Sequence, residues 1–217
     1  MILETFHQFQ FKRFYQPPDK LSDQLWQVFS SSKGYRLEQT AGGLFEALQA
    51  LKLGNETGKV PIKVGVITNS DPRVPTILAD LGLRVRPLRC NADQDATKLP
   101  ILKLNEDTDL DDRVDIDFVV MSYDVKYEKP ATQIFDAALE LNGFGPKHIQ
   151  TGEVQCIHVG DSEVEDHRAA LKSGWQSILF DKGRKTQSRD PNSEAVIGSF
   201  EDLTQFLRTK AGLPIDK

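Results

Sequence analysis

The sequence predicts an α/β protein built as three layers, with helices on both faces of a mostly parallel sheet. Four short runs rich in β-branched residues are typical of buried strands: residues 62–68 (IKVGVIT), 116–121 (IDFVVM), 154–159 (VQCIHV) and 176–180 (QSILF). Segments with apolar residues at helical spacing alternate with them. Such alternation requires crossover connections, and these join parallel strands.

The helical segments have recognisable ends. They are predicted at residues 21–29, 44–51, 74–83, 132–141, 163–173 and 200–207. Gly82 stops the third of them, and Asn142 with Gly143 forms a good C-terminal cap for the fourth. Ser199 is a plausible N-cap for the last. Two connections are irregular: the acidic stretch 91–113, expected to be an exposed insertion, and the polar loop 181–194.

Composition excludes several classes of protein. The 217 residues carry 27 basic and 32 acidic side chains, a formal charge of −5, and no basic block, which argues against nucleic-acid binding. Two cysteines cannot form a disulfide framework and fit a reducing compartment. No apolar run approaches the ~20 residues that span a bilayer, and the first residues do not form a secretory signal. We therefore expect a cytoplasmic protein without a membrane partner.

The first candidate site follows the first strand. In Thr68-Asn69-Ser70-Asp71, a hydroxyl and an amide stand at a strand end before a helix, where they suit a phosphoryl oxygen. Helix capping by Ser70 or Asp71 is an equally good explanation of this motif.

The second candidate is Lys129, which precedes Pro130 and a predicted helix. A lysine held there can place its ammonium over an anion. An ordinary surface lysine is the alternative.

The third candidate begins at Gly160, at the end of a buried strand whose His158 is expected to belong to the core. Asp161 and Asp166 lie five residues apart across a strand-to-helix turn and can point into one site, where carboxylates favour a hard cation such as Mg²⁺. An acidic cap on the helix dipole is the alternative, and it explains Glu163 and Glu165 better than Asp161.

The order and spacing of the three sites resemble the haloacid dehalogenase (HAD) superfamily. The surrounding segments ITNSDPRV, DFVVMSYDVKYEKPATQIF and HVGDSEVEDHRAALKSGW resemble it too, and the similarity spans residues 35–207. It implies a Rossmann-like core, a helical cap, and a Mg²⁺-dependent hydrolase of phosphatase type that acts on a small phosphorylated molecule. By this resemblance Thr68, Asn69 and Lys129 bind phosphate, and Lys129 also neutralises the transferring group. Asp161 binds the metal, and Asp166 holds either that metal site or the lysine. All of these residues except Asn69 are expected to be catalytic.

The family's first motif, Asp-x-Asp-x-(Thr/Val), was not found where it is expected. In the family this motif ends the first strand and supplies the nucleophile, but residues 1–60 contain neither such a strand nor such a motif. We therefore expect residues 1–40 to be a remnant of the helical cap and residues 41–217 to be a core that lacks its first strand. Asp115-Ile116-Asp117 is rejected as this motif because it begins a strand, and residues 107–111 fail as a calcium loop because Asp112 replaces glycine.

Three explanations of this gap stay open. The chain is a fragment or truncated gene model of a complete hydrolase, a natural pseudoenzyme with a rearranged sheet, or a core whose strand comes from a partner or an unusual segment. As written, it is expected to have little or no turnover, because the covalent route needs the nucleophile. A non-catalytic binding or regulatory protein is the competing class, and metal-free dehalogenation is a third possibility.

Overall fold

The computed structural model describes residues 20–54, 62–86, 88–90, 114–182 and 195–210. The helices are α1 (Leu21–Phe29), α2 (Ala41–Gly54), α3 (Val74–Asp80), α4 (Ser122–Val125), α5 (Gln133–Leu141), α6 (Pro146–Gln150), α7 (Ala169–Lys172) and α8 (Phe200–Lys210). A 3₁₀ turn (Ser32–Gly34) and a π-helical turn (Glu163–Arg168) accompany them. The strands are β1 (Gly65–Thr68), β2 (Phe118–Met121), β3 (Ile157–Gly160), β4 (Gln176–Phe180) and β5 (Ala195–Ile197).

All strand pairs in the described residues are parallel. β1 pairs with β2, and β3, β4 and β5 form a second group in that order. Single parallel bridges continue the first group beyond β2, from Val85 to Ile116 and from Arg89 to Val119. Among the described strands, none joins the two groups through backbone hydrogen bonds.

Helices cover both faces, which confirms the predicted three-layer α/β fold. Phe118 and Val120 of β2 pack into an apolar cluster with α5, whereas Val119 and Met121 pack on the opposite face with residues of α3. This alternation is the period of two expected of a strand buried on both sides.

Both cysteines are free thiols, and burial raises the pKa of Cys90 to about 12.

Helix α2 packs against both groups of strands. Leu44 contacts the cluster of β4, β5 and α8, while the neighbouring Phe45 contacts the cluster of β1, β2 and α3. On the other face, the cluster around α5 includes Ile67 of β1 and also Trp175, which precedes β4. Side-chain packing therefore holds the two groups of strands together.

Two buried aspartates fix α2 at the amino end of β2. Asp117 pairs with Lys52 of α2 at 2.6 Å and accepts a hydrogen bond from the Val64 amide at 2.8 Å. Asp115 pairs with Arg84 at 3.1 Å and accepts a hydrogen bond from the side-chain amide of Gln49 in α2. Burial acts to raise the pKa of Asp115, but the hydrogen bonds from Arg84 outweigh it and hold that pKa below its usual range. The Asp-x-Asp rejected from the sequence is thus part of an ionic network.

Several predicted element ends are confirmed, although α2 (Ala41–Gly54) and α8 (Phe200–Lys210) are longer than predicted and α3 (Val74–Asp80) is shorter. α1 has the predicted bounds and so does β4. α3 ends before Gly82, whose φ is +91°, and α5 ends before Gly143, whose φ is +82°. The Ser199 hydroxyl accepts from the Asp202 amide at 3.0 Å at the start of α8, as an N-cap does.

Three predicted strands begin too early, and one strand was missed. β1 starts at Gly65 instead of residue 62, because the Val64 amide bonds the Asp117 side chain and not a strand backbone. β2 starts at Phe118 instead of residue 116, and β3 spans Ile157–Gly160 instead of residues 154–159. The missed strand is β5. It was not predicted because it has only 3 residues and directly follows a segment interpreted as a polar loop.

The predicted helix 163–173 is wrong in its first half. The amides of Asp166 and His167 both bond the Ser162 carbonyl at 3.0 Å, which gives a wider π-helical turn before α7 begins at Ala169. Such turns are rare and recur at functional sites.

Several predictions are not tested by the described residues. Residues 1–19, the acidic stretch 91–113 with its calcium-like run, and residues 183–194 lie outside them. The assignment of residues 1–40 to a cap remnant and of residues 41–217 to a core without its first strand stays a prediction. None of the helices in the described part of the chain is long and apolar enough to cross a membrane.

The pairing of β1 with β2 makes the fold sensitive at Gly65. A Cβ atom there would lie 2.0 Å from the Phe118 ring. We expect Gly65→Ala to lower the free energy of unfolding by roughly 1–3 kcal/mol, as overpacking does. Urea unfolding measures this change. Gly42→Ala in α2 is the matched control, because its Cβ meets nothing within 4 Å and alanine stabilises a helix by about 0.5–1 kcal/mol relative to glycine. Equal stability of the two variants would contradict the described pairing.

Candidate functional site

The candidate site lies at the carboxyl ends of the strands. Thr68 ends β1 and is paired in register with Met121, which ends β2. Gly160 ends β3. Polar turns follow β1 and β3, and the short helix α4 follows β2 before the loop that carries Lys129, so the three sequence motifs reach the edge at which α/β proteins bind ligands.

Asn69 fixes the backbone of Lys129. Its Oδ1 accepts from the Lys129 amide at 2.7 Å, and its Nδ2 donates to the Lys129 carbonyl at 3.0 Å. This pair of bonds ties the loop after β1 to the loop that precedes α5. The predicted contact of Asn69 with a phosphoryl group stays a prediction, since the structure uses its amide to position Lys129.

The Lys129 side chain points into the site and is not an ordinary surface lysine. Its ammonium lies 2.5 Å from Asp166 Oδ1. The Lys129 side chain is 11% exposed and that of Asp166 6% exposed. The structure therefore brings together two of the predicted site residues, which are separated by 37 positions in the chain.

Asp166 folds back onto the end of β3. Its Oδ2 accepts from the Ser162 amide at 3.0 Å. Gly160 leaves the space for this approach, because a Cβ there would lie 2.2 Å from Asp166 Cγ. The π-helical turn and the glycine together place the carboxylate against the strand end.

Sequence reasoning missed His158, which it assigned to the core. The His158 ring is buried, and its Nε2 lies 2.9 Å from Asp166 Oδ1. The signal that could have found it is strand alternation: His158 stands two residues before Gly160, on the face against which Asp166 folds.

These contacts determine the charge of Asp166. Burial acts to raise its pKa, but hydrogen bonds from His158, Lys129 and the Ser162 amide outweigh burial and hold the pKa well below the usual range of a carboxyl. Asp166 is therefore ionised at neutral pH and only accepts hydrogen bonds. It follows that His158 donates from Nε2.

The predicted magnesium ligands differ in their surroundings. Asp161 is exposed directly after β3, so its oxygens suit a hard cation. Asp166 fits less well, because Lys129, His158 and the Ser162 amide already bond its oxygens. The described residues contain no group of three or more histidine, cysteine, aspartate or glutamate side chains that could hold a metal. Of the two predicted ligands, Asp161 is the one whose carboxylate is exposed.

Local contacts account for several neighbouring polar residues, although neither Ser70 nor Asp71 caps α3, whose N-cap position is Arg73. Glu163 pairs with Arg168 at 3.1 Å, and the Ser162 hydroxyl accepts from the Glu165 amide at 3.1 Å as an N-cap. Asp71 accepts from the Arg73 amide at 3.1 Å and pairs with its guanidinium at 2.6 Å, which lowers the pKa of Asp71. These residues belong to local turns and caps.

Arg73 also connects this edge to α1. Its guanidinium donates to the Phe29 carbonyl at 3.2 Å and lies 5.2 Å from the centre of the Trp26 ring. Helix α1 is therefore held beside the loop that follows β1, although none of its residues is buried.

Comparison with known proteins finds sequences and structures of the HAD type. A model of the HAD-hydrolase-like family matches residues 126–203, which include Lys129, Asp161 and Asp166. The rhythmically expressed gene 2 protein of Drosophila melanogaster is 32% identical over 166 residues, which are 75% of this chain and 49% of that protein. The chain thus spans about half the length of this relative.

Solved structures share the fold at low sequence identity. A HAD phosphatase from Thermococcus onnurineus superposes with a TM-score of 0.56 at 16% identity, over 87% of this chain and 65% of that one. A HAD hydrolase from Bacillus subtilis, described as bound to magnesium, gives a TM-score of 0.54 at 16% identity over 95% of this chain and 68% of its own. The family model matched over residues 126–203 and the fold shared with these structures support the assignment of the chain to the HAD superfamily.

Proposed function

We propose that the site belongs to a hydrolase of phosphatase type, which acts on a small phosphorylated molecule in the cytoplasm. The observation that carries the proposal is the Lys129 ammonium, held at 2.5 Å by an ionised and buried Asp166 at the carboxyl edge of the sheet. A fixed cation at this edge suits a phosphoryl group, whose oxygens carry the charge that must be stabilised during transfer. The HAD phosphatase of similar fold supports the same reaction class.

Each predicted residue has a chemical role in this proposal. Lys129 binds and neutralises the phosphoryl oxygens, and the Thr68 hydroxyl at the end of β1 donates to one of them. Asp166 holds the ammonium in place. When bound, Mg²⁺ offsets the repulsion between an attacking carboxylate and the phosphate, and Asp161 is the exposed carboxylate that would hold it.

A second candidate is a non-catalytic phosphate-binding or regulatory protein on the same fold. The observation that favours it is the place of the sequence Asp115-Ile116-Asp117-Phe118-Val119, which matches the nucleophile pattern Asp-x-Asp-x-(Thr/Val). Both aspartates are buried in ion pairs at the amino end of β2, the opposite end from Lys129. They cannot reach a phosphate bound at the carboxyl edge, so this polypeptide, as written, is proposed to bind without turnover.

Anion binding tests the role of Lys129. We expect Lys129→Ala to weaken the affinity for inorganic phosphate at least tenfold, since a charge-assisted hydrogen bond contributes about 1.5–3 kcal/mol. Titration calorimetry gives the dissociation constants. Lys147→Ala is the matched control, because Lys147 is exposed on α6, away from the three motifs. Equal affinities of the two variants would remove the basis of the proposal.

Hydrolysis tests the predicted lack of turnover. We expect the purified chain to release no p-nitrophenol from p-nitrophenyl phosphate above background in the presence of Mg²⁺, because no described carboxylate at the carboxyl edge is placed as a nucleophile. Asp161→Asn and Lys129→Ala serve as comparison variants. Robust turnover that both substitutions abolish would show that a carboxylate rejected above, or one from a second chain, attacks phosphorus.

The pH dependence of stability tests the state of Asp166. Because its pKa is lower in the folded than in the unfolded chain, its stabilising effect is present above the unfolded value of about 3.9 and is lost as pH falls toward the folded value. We expect the free energy of unfolding of the native chain to exceed that of Asp166→Asn by roughly 1–3 kcal/mol at pH 7. This difference should become progressively smaller below about pH 4. Urea unfolding across this range measures the difference.

The control for this comparison is Asp80→Asn, on the exposed end of α3. This substitution should change the free energy of unfolding by no more than about 0.5 kcal/mol at pH 7. A difference between the native chain and Asp166→Asn that widens with acid would contradict the assignment.

A further inference from the structure

We infer that His158 is a positioning residue of the anion site: it holds the Asp166 carboxylate in the orientation that fixes the Lys129 ammonium. The inference rests on the proposed function, because positioning matters only if the ammonium binds an anion. It adds to the predicted site a residue that contacts neither metal nor substrate and acts through Asp166.

The His158 ring is itself held in one orientation. It lies on β3, opposite Ser177 of β4 in the parallel register. The ring makes a T-shaped contact with Phe135 of α5, with centroids 5.1 Å apart and planes at 85°. Phe135 is fully buried, and His158 is 8% exposed. A ring confined in this way presents Nε2 to Asp166 in a fixed direction.

Asp166 Oδ1 is the point at which the two basic groups meet. It receives His158 Nε2 at 2.9 Å and Lys129 Nζ at 2.5 Å, while the Ser162 amide bonds the other oxygen. Without His158, Oδ1 keeps only the lysine, and the Ser162 amide on Oδ2 is the other hydrogen bond that restrains rotation about the Cβ–Cγ bond. The histidine bond adds a second fixed direction on Oδ1 and so opposes this rotation.

The position of the ammonium depends on that carboxylate. Asn69 fixes the Lys129 backbone through two hydrogen bonds, but the side chain beyond it has four rotatable carbon–carbon bonds. Asp166 is the described group that bonds its Nζ. One of three N–H donors is directed at Asp166, and the direction of that bond sets where the remaining donors point.

Two substitutions at one position test this role with tungstate, a phosphate-like oxyanion, as the probe. We expect His158→Phe to weaken the tungstate affinity about tenfold, the range of one hydrogen bond to a charged group. We expect His158→Gln to stay within about threefold of the native chain, since the Gln amide is as many bonds from Cβ as Nε2 and donates likewise. In a Lys129→Ala background, His158→Phe should cause no further loss. His148→Gln on α6 is the matched control.

A second readout needs no anion binding. Acetylation of Lys129 by an N-hydroxysuccinimide ester, followed by mass spectrometry, should become several-fold faster in His158→Phe than in the native chain, because the ammonium is less firmly held. The exposed Lys147 is the internal reference. Urea unfolding confirms that both variants are folded at the labelling temperature.

The outcomes separate the inference from the proposed function. Unchanged tungstate affinity and unchanged labelling in His158→Phe, with binding lost in Lys129→Ala, would overturn the positioning role and leave the proposed function intact. Failure of the native chain to bind tungstate would count against the proposed function, and the labelling rates alone would then decide the role of His158. An equal loss of tungstate affinity in His158→Phe and His158→Gln would also overturn the positioning role, since the Gln amide should restore the hydrogen bond to Asp166.

Discussion

The site depends on one buried carboxylate. Asp166 bonds Lys129, His158 and the Ser162 amide, and each partner belongs to a different part of the fold: the loop before α5, strand β3, and the turn that follows β3. Burial alone would favour a neutral carboxyl, so the charge persists because three donors face it. The glycine that ends β3 and the π-helical turn allow the carboxylate to reach all three.

The rest of the fold brings these donors to one place. The parallel strands bring the loops after β1, β2 and β3 to the same edge, and Asn69 then links the first of these loops to Lys129. Helices α2 and α5 pack across both groups of strands. This packing fixes the position of Lys129 relative to Asp166. The opposite edge has its own ionic network, in which Asp115 and Asp117 anchor α2 instead of doing chemistry.

The sequence predicted the fold and the place of the site better than the contacts within it. Buried parallel strands have a continuous apolar composition and stop at Gly or polar residues, so the layers, the strand direction and the ends of α3 and α5 were predictable. The π-helical turn was not, because its residues have ordinary helical spacing and the wider turn comes from tertiary hydrogen bonds to Ser162. His158 was interpreted as core for a similar reason: burial explained it until the position of Asp166 was known.

The central claim is that Lys129, set by Asp166, forms an anion site at the carboxyl ends of the strands. A crystal structure of the chain soaked in tungstate tests it most directly, because the heavy anion is identified without ambiguity. The account predicts the anion within hydrogen-bond distance of Lys129 Nζ and the Thr68 hydroxyl, with the contact between Lys129 and Asp166 intact. Tungstate bound elsewhere, with Lys129 turned away from the edge, would contradict it.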